Sequence, residues 1–340
     1  MNFINGLELN RGFYQDIVKP LLGKKYPNLQ YSAALIGYGS DVLGFDTEIS
    51  MDHNWGPRLQ LFIDEKEIIE EIKKYFSFEL PFQYKGFSVN FSDPSYDHTI
   101  RMESTCKHPV NHLIEITSFE DYLKKRYSMD KITKFTNEDW LEFSDQNLLE
   151  ITSGSVFHDG LKKVNNAREE LQFFPLDICK LRMAVLWNYI WNKEAFIGRS
   201  IAVNDPIGLK INAARIVNYL MKILFYLEKR YIPYSKWFGF AFKQLDVYDG
   251  VSGSILDVLN ENVPGKIEGA LCELYERVIE IHNKNKELPY LQNKTRNYFN
   301  RPYKVIFAEN IVEELKNSIK DEDIGKTDMK KYGCDLILDL

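Results

Sequence analysis

Residues 34–62 read A-L-I-G-Y-G-S-D-V-L-G-F-D-T-E-I-S-M-D-H-N-W-G-P-R-L-Q-L-F, and this stretch decides the fold. The apolar run Ala34 to Ile36 leads into Gly37, Gly39 and Ser40, and eleven residues (41 to 51) then separate Ser40 from Asp52, His53, Asn54 and Trp55. Beyond them Leu59, Leu61 and Ile63 alternate with other residues. The pattern reads as a strand, a Gly-Ser turn, a loop, a polar edge and a second strand. Asp52 and Asn54 are expected on one face of that strand, because residues two apart on a strand point the same way. His53 and Trp55 should face the other side, as core or support. A Gly-Ser turn lets backbone N–H groups approach a phosphate with no Cβ in the way, and the Ser40 hydroxyl adds a donor.

Further strands are expected at residues 31–38, at Phe87 to Phe91 and around Ile114 and Ile116, with helices at 7–25, 65–76 and 119–127. Residues 94–111 are polar, with His98, His108 and His112 close by, and read as a loop or edge hairpin. After about residue 130 helical periodicity dominates. Asp205-Pro206 is a helix start, an N-cap followed by proline at the first position. The fold class is therefore α+β, a mixed sheet with flanking helices (residues 1–130) followed by a mainly helical domain (131–340).

The chain has 340 residues, enough for two domains, and at 44% hydrophobic and 27% charged it has ample material for soluble cores. No apolar run approaches the roughly 20 residues that cross a bilayer. The first residues carry neither a basic region nor a long apolar run, so no secretory leader is expected and the expected location is cytoplasmic. Cys106, Cys179, Cys272 and Cys334 are far apart, which points to reduced structural cysteines rather than zinc. A net charge of −6 argues against broad nonspecific binding to a nucleic-acid backbone but leaves room for a local basic groove.

The layout of Gly39-Ser40 followed by Asp52 resembles the nucleotidyltransferase-fold superfamily. The string G-S-D-V-L-G-F-D-T-E-I-S-M-D-H-N-W-G-P-R is similar to an uncharacterised bacterial family of that fold, as are T-S-G-S-V-F-H-D-G (152–160), E-A-F-I-G-R (194–199) and R-Y-I-P-Y-S-K-W-F-G (230–239). The plan of a small catalytic domain plus a helical domain looks most like the antibiotic nucleotidyltransferases. The resemblance implies that Asp52 is the first metal-binding carboxylate and that Glu115, on a neighbouring strand, is the third. Asn54 stands where the superfamily has its second carboxylate. Asp46 and Glu48 fall too close to Ser40 to take these places. His158 and Arg199 match family positions without an assignable role.

Such a site would use Mg²⁺ or Mn²⁺, with ions about 4 Å apart bridging the triphosphate and the attacking hydroxyl. Asp52, Asn54 and Glu115 would be the ligands, and Asp52 and Glu115 the catalytic acids. Asn54 supplies only a neutral amide oxygen, whereas Mg²⁺ favours charged oxygens. Gly39, Ser40, Arg58 and Lys236 would bind the nucleotide. Arg58 has two openings, phosphate or a loop carboxylate, and Lys236 is the helical domain's candidate for the triphosphate tail. The expected activity moves a nucleoside monophosphate, AMP from ATP or its equivalent from another nucleoside triphosphate, to an acceptor hydroxyl. The acidic chain favours a cationic small-molecule acceptor over a macromolecule. The alternative is a nucleotide-binding sensing or partner-binding module with weak or no catalysis.

Overall fold

The computed structural model describes residues 2–96 and 99–329. His98 and Cys334 lie outside them; Cys106, Cys179 and Cys272 are unbridged. The chain forms two compact units, residues 1–135 with 147–172, and residues 136–146 with 173–340.

The first unit is built on a four-stranded sheet of β1 (Tyr31–Leu35), β2 (Arg58–Ile63), β3 (Leu113–Thr117) and β4 (Ser155–Asp159), in the order β3-β2-β1-β4. The β2–β3 pair is parallel, and β1 runs antiparallel to both β2 and β4. The sheet is mixed, as expected. Ala34, Gln60 and Glu115 are register partners across three strands and so share one face. The opposite face carries Ala33, Leu59, Leu61, Ile63, Ile114 and Ile116 into a buried core. Leu9 and Phe13 of α1 (Gly6–Phe13), Leu22 of α2 (Lys19–Lys25) and, further on, Ile72 and Phe76 fill that core.

A short helix, α3 (Ser40–Leu43), follows β1, and α4 (Ile69–Glu79) supplies Ile72 and Phe76. Ser118 leaves β3 and caps α5 (Phe119–Tyr127) by accepting from Asp121 N–H at 3.1 Å. The rings of Phe119 and Tyr122 then pack edge-on against Phe62, 5.0 and 5.3 Å between centroids, and fix α5 over the Gln60–Glu115 face.

The chain next forms α6 (Asn137–Glu142) and α7 (Asp145–Thr152), then β4 and α8 (Lys163–Glu170). Strand β4 falls where the sequence reads as helical. It is short and polar, and its pairing with β1 supplies the order that its own pattern lacks. The second unit is helical: α9 (Leu176–Ala202), α10 (Pro206–Leu227), α11 (Ser235–Phe242), α12 (Tyr248–Asn260), α13 (Pro264–His282), α14 (Ala308–Asn317) and α15 (Glu322–Gly325). Asp205 caps α10 by accepting from Gly208 N–H, with Pro206 at the first position. Among the described residues no helix is long and apolar enough to cross a membrane.

Candidate functional site

The turn after β1 is held from three sides. Ile36 N–H donates to Gln60 Oε1 at 3.1 Å, and Gly37 N–H to the Glu150 carbonyl at 2.9 Å. Arg58 Nη2 donates to the Tyr38 carbonyl at 3.1 Å. Gly37 (φ 94°) and Gly39 (φ 132°) adopt conformations that side chains rarely take. Ser40 then opens α3, and Asp41 in its first turn meets Arg58 in a forked pair, Nη2–Oδ1 2.7 Å and Nε–Oδ2 3.2 Å. Asp41 is 1% and Arg58 6% exposed. Burial disfavours the Arg58 charge, and the adjacent Asp41 carboxylate more than restores it. Of its two openings, Arg58 takes the loop carboxylate.

A cleft of about 630 Å³ lies beside β3 and α5, within the range of small-molecule sites. Four cations line it, Lys73, Lys124, Lys125 and Arg126, against two acids, Glu115 and Asp121. Lys124, Lys125 and Arg126 form the last turn of α5, where the carbonyl end of the helix favours positive charge. Lys73 pairs with Glu70 and Lys124 with Asp130, both on the surface, and Asp121 pairs with Lys66. Lys125 has no ion pair among the described residues. The Arg126 guanidinium lies 4.9 Å from the Tyr38 ring and 5.2 Å from the Tyr122 ring, and Arg58 flanks Tyr38 at 5.5 Å. Arg126 Nη2 stands 3.7 Å from Glu115 Oε2. The cleft and the Gly-Ser turn therefore share an edge, Tyr38–Arg126. Of the expected site residues, the structure gathers Gly39, Ser40, Arg58 and Glu115 here.

The Tyr122 hydroxyl is buried beside the Tyr127 hydroxyl, against the bare Cα of Gly37. Burial pushes its pKa up to about 12, against the pull of Arg126. Tyr127, its neighbour, donates to Glu150 Oε2 at 3.1 Å, and burial raises its pKa strongly.

Asp52 and Asn54 are placed differently from the sequence expectation. Asp52 ends a 3₁₀ turn (Glu48–Asp52), is largely exposed, and meets His53 Nδ1 at 2.8 Å. Asn54 is left-handed (φ 51°) rather than extended. Its N–H donates to the Ile100 carbonyl at 2.7 Å, and its Oδ1 accepts from Ile100 N–H at 3.1 Å. Strand β2 starts only at Arg58, so the side chains beside Glu115 on its face are Arg58 and Gln60. Among the described residues no three His, Cys, Asp or Glu side chains gather to hold a metal. The donor set does not fit a two-metal centre: the Asn54 oxygen is committed to backbone and β2 offers no acid beside Glu115. His53 is half-exposed rather than core. Trp55 is buried as expected, its indole N–H donating to Asp46 Oδ2 at 3.0 Å. Asp46 also accepts from Gly6 N–H and so fixes the start of α1.

Lys236 belongs to the second unit, in the first turn of α11, its ammonium 5.0 Å from the Trp237 ring. His158 packs against Tyr31 (4.7 Å), and Asp159 ties β4 to Ser32 of β1 and to Asn165 N–H of α8. Arg199 lies 5.6 Å from the Phe196 ring. These contacts give the matched stretch a structural role. Asp41, Tyr122, Lys125 and Arg126 escaped the sequence reading, although Tyr122 and Arg126 stand four apart on one expected helix and so share its face.

A family model described as a domain of unknown function (DUF4037) matches residues 140–238, a span that does not contain the Gly-Ser turn or the cleft. Among solved structures, a nucleotidyltransferase-like protein from Exiguobacterium sibiricum is similar over 82% of this chain and 77% of its own, at 12% identity and a TM-score of 0.33. No curated protein matches.

Proposed function

We propose that the first unit binds the polyphosphate of a nucleoside triphosphate in the β3–α5 cleft, acting as a nucleotide-binding module of the nucleotidyltransferase type. The observation that carries this reading is the local excess of cations, four against two acids, in a protein of net charge −6. Lys125 is free to meet a phosphate. Lys73 and Lys124 can exchange surface carboxylates for phosphate oxygens at little cost, since such pairs contribute about 0–1 kcal/mol. The Gly39-Ser40 backbone adjoins the same edge. The nucleoside half of the ligand is taken from the sequence resemblance.

A second reading is metal-dependent transfer of AMP to a hydroxyl of a small acceptor through Asp52, Asn54 and Glu115. The spacing of Ser40 and Asp52 and the part-exposed Glu115 carboxylate, 38% accessible, favour it. It requires the Asn54–Ile100 clasp to open.

Calorimetric titration with ATP, in chelator and in excess Mg²⁺, separates the two, with pyrophosphate release followed in parallel. The binding reading expects ATP to bind in chelator, weakening with salt and in Lys125→Ala, with no pyrophosphate formed. No ATP binding under either condition would sink it. Pyrophosphate release that needs Mg²⁺, vanishes in Asp52→Ala and rises in Asn54→Asp would establish the transfer reading instead.

A further inference from the structure

We propose that the basic, aromatic hairpin of residues 294–304 in the second unit binds a single-stranded nucleic acid, with one base stacked on the Phe299 ring and backbone phosphates on Arg296, Arg301 and Lys304. The proposal concerns a different surface from the cleft of the first unit and does not rest on the nucleotide reading of that cleft.

Two short strands, Arg296–Asn297 and Lys304–Val305, pair antiparallel. Beyond them Arg301 N–H donates to the Tyr298 carbonyl at 3.0 Å and closes a turn over Phe299 and Asn300. Phe299 takes φ 52° at the second position of that turn, where glycine or asparagine is usual and a bulky ring is an outlier. It is nevertheless 75% exposed. The base beneath it is firmly held. Tyr303 lies against the bare Cα of Gly198, where a Cβ would clash with its ring. Glu268 accepts from Lys304 N–H at 2.9 Å, and Glu194 from the N–H groups of Ile306, Phe307 and Ala308. The Phe299 ring leans edge-on against Tyr298 (4.8 Å) and Phe307 (6.0 Å), so its orientation is set. A strained backbone that holds a large ring in water is a cost that a binding role explains.

The charge around the ring has one sign. Residues 288–308 contain four Lys or Arg and no Asp or Glu, in a chain of net charge −6. Lys294 is spent on Glu276 of α13. Arg296, Arg301 and Lys304 are exposed and have no ion pair among the described residues. The Arg296 guanidinium is already positioned, 4.2 Å from the Phe307 ring. A ring open to water accepts the face of any base, and cations beside it meet the phosphates that join the bases. A duplex hides its base faces, so the strand is single. An anionic bilayer also takes a ring flanked by cations. Here exposed Asn297 and Asn300 stand on either side of Tyr298-Phe299. Their amides would lose water without a partner in hydrocarbon, whereas base edges offer them hydrogen bonds.

The test is fluorescence anisotropy of the full chain with a labelled ten-nucleotide oligouridine, and with oligodeoxythymidine of the same length in a parallel arm. The binding constant should fall with salt at a logarithmic slope of about −2, near −0.7 for each of three phosphate contacts. Phe299→Asn removes the ring and suits the left-handed turn, so its melting temperature should equal or exceed the parent's. Loss of base stacking should raise its Kd about tenfold or more. Phe299→Tyr keeps a stacking ring and should bind like the parent. Arg301→Ala should bind more weakly and reduce the salt slope by about 0.7. A parent that binds neither oligonucleotide at low salt, or an unchanged Kd in Phe299→Asn, would overturn the proposal. So would a clear fall in the melting temperature of Phe299→Asn, since the ring would then serve the fold. Binding to phosphatidylserine vesicles that Phe299→Asn abolishes, with no oligonucleotide bound, would assign the hairpin to a membrane instead.

Discussion

Asp41→Ala should be among the most damaging single changes in the first unit. The carboxylate accepts two hydrogen bonds from Arg58 and one from Val42 N–H. Without it the guanidinium, 6% exposed, keeps its charge and loses its counter-ion. Breaking a buried pair in this way costs about 3–5 kcal/mol, because one charge is left uncompensated. The same bonds hold Tyr38 and the Gly-Ser turn, so triphosphate binding should fall together with stability. Urea unfolding followed by tryptophan fluorescence reads the loss, Trp55 lying in the first unit's core. The double variant Asp41→Ala/Arg58→Met should recover much of it, since a well-packed apolar pair of similar volume is often neutral. A loss below about 1 kcal/mol for Asp41→Ala, or a double variant worse than the sum of both single changes, would refute the reasoning.

Gly37→Ala should destabilise and weaken ligand binding, because its φ of 94° strains any side chain and the new Cβ meets the Tyr122 hydroxyl; thermal melting and triphosphate titration check it. Asn54→Ala should cost about 2 kcal/mol by urea titration, through the lost Ile100 N–H acceptor and the left-handed backbone at φ 51°. In the second unit, Glu194 accepts from the N–H groups of Ile306, Phe307 and Ala308 at the start of α14, and burial raises its pKa from 4.5 to about 7. The folded state therefore holds this proton longer than the unfolded chain, so the contribution is full below pH 4.5 and declines as pH rises towards 7. Glu194→Gln should flatten that part of the pH–stability curve, as read by melting temperature across the window.

The sheet was legible because its strands carry their own pattern. Leu59, Leu61 and Ile63 alternate in sequence and all three are buried on one face. The Asp205-Pro206 start of α10 was legible for the same local reason, a cap and a proline that act within one turn. Strand β4 was not, since Ser155–Asp159 is held by pairing with β1 rather than by alternation of its own. The Gly39-Ser40 turn could be placed but not its fastening: the Asp41–Arg58 pair joins residues 17 apart, and nothing local in the sequence marks it. Asn54 shows the limit of spacing as a guide. A position two beyond Asp52 shares its face only on an extended strand, and a left-handed residue clasped to Ile100 breaks that rule. The cleft was hidden because its cations come from α4 and α5, separated in sequence and brought together by β3.

The most direct measurement is a crystal structure of the full chain soaked with a non-hydrolysable ATP analogue and Mg²⁺. The expected result places the triphosphate in the β3–α5 cleft, with Lys125 on a phosphate and the Asn54–Ile100 clasp closed. A triphosphate bound instead through metal to Asp52 and Asn54, with the clasp open and the cleft empty, would contradict it.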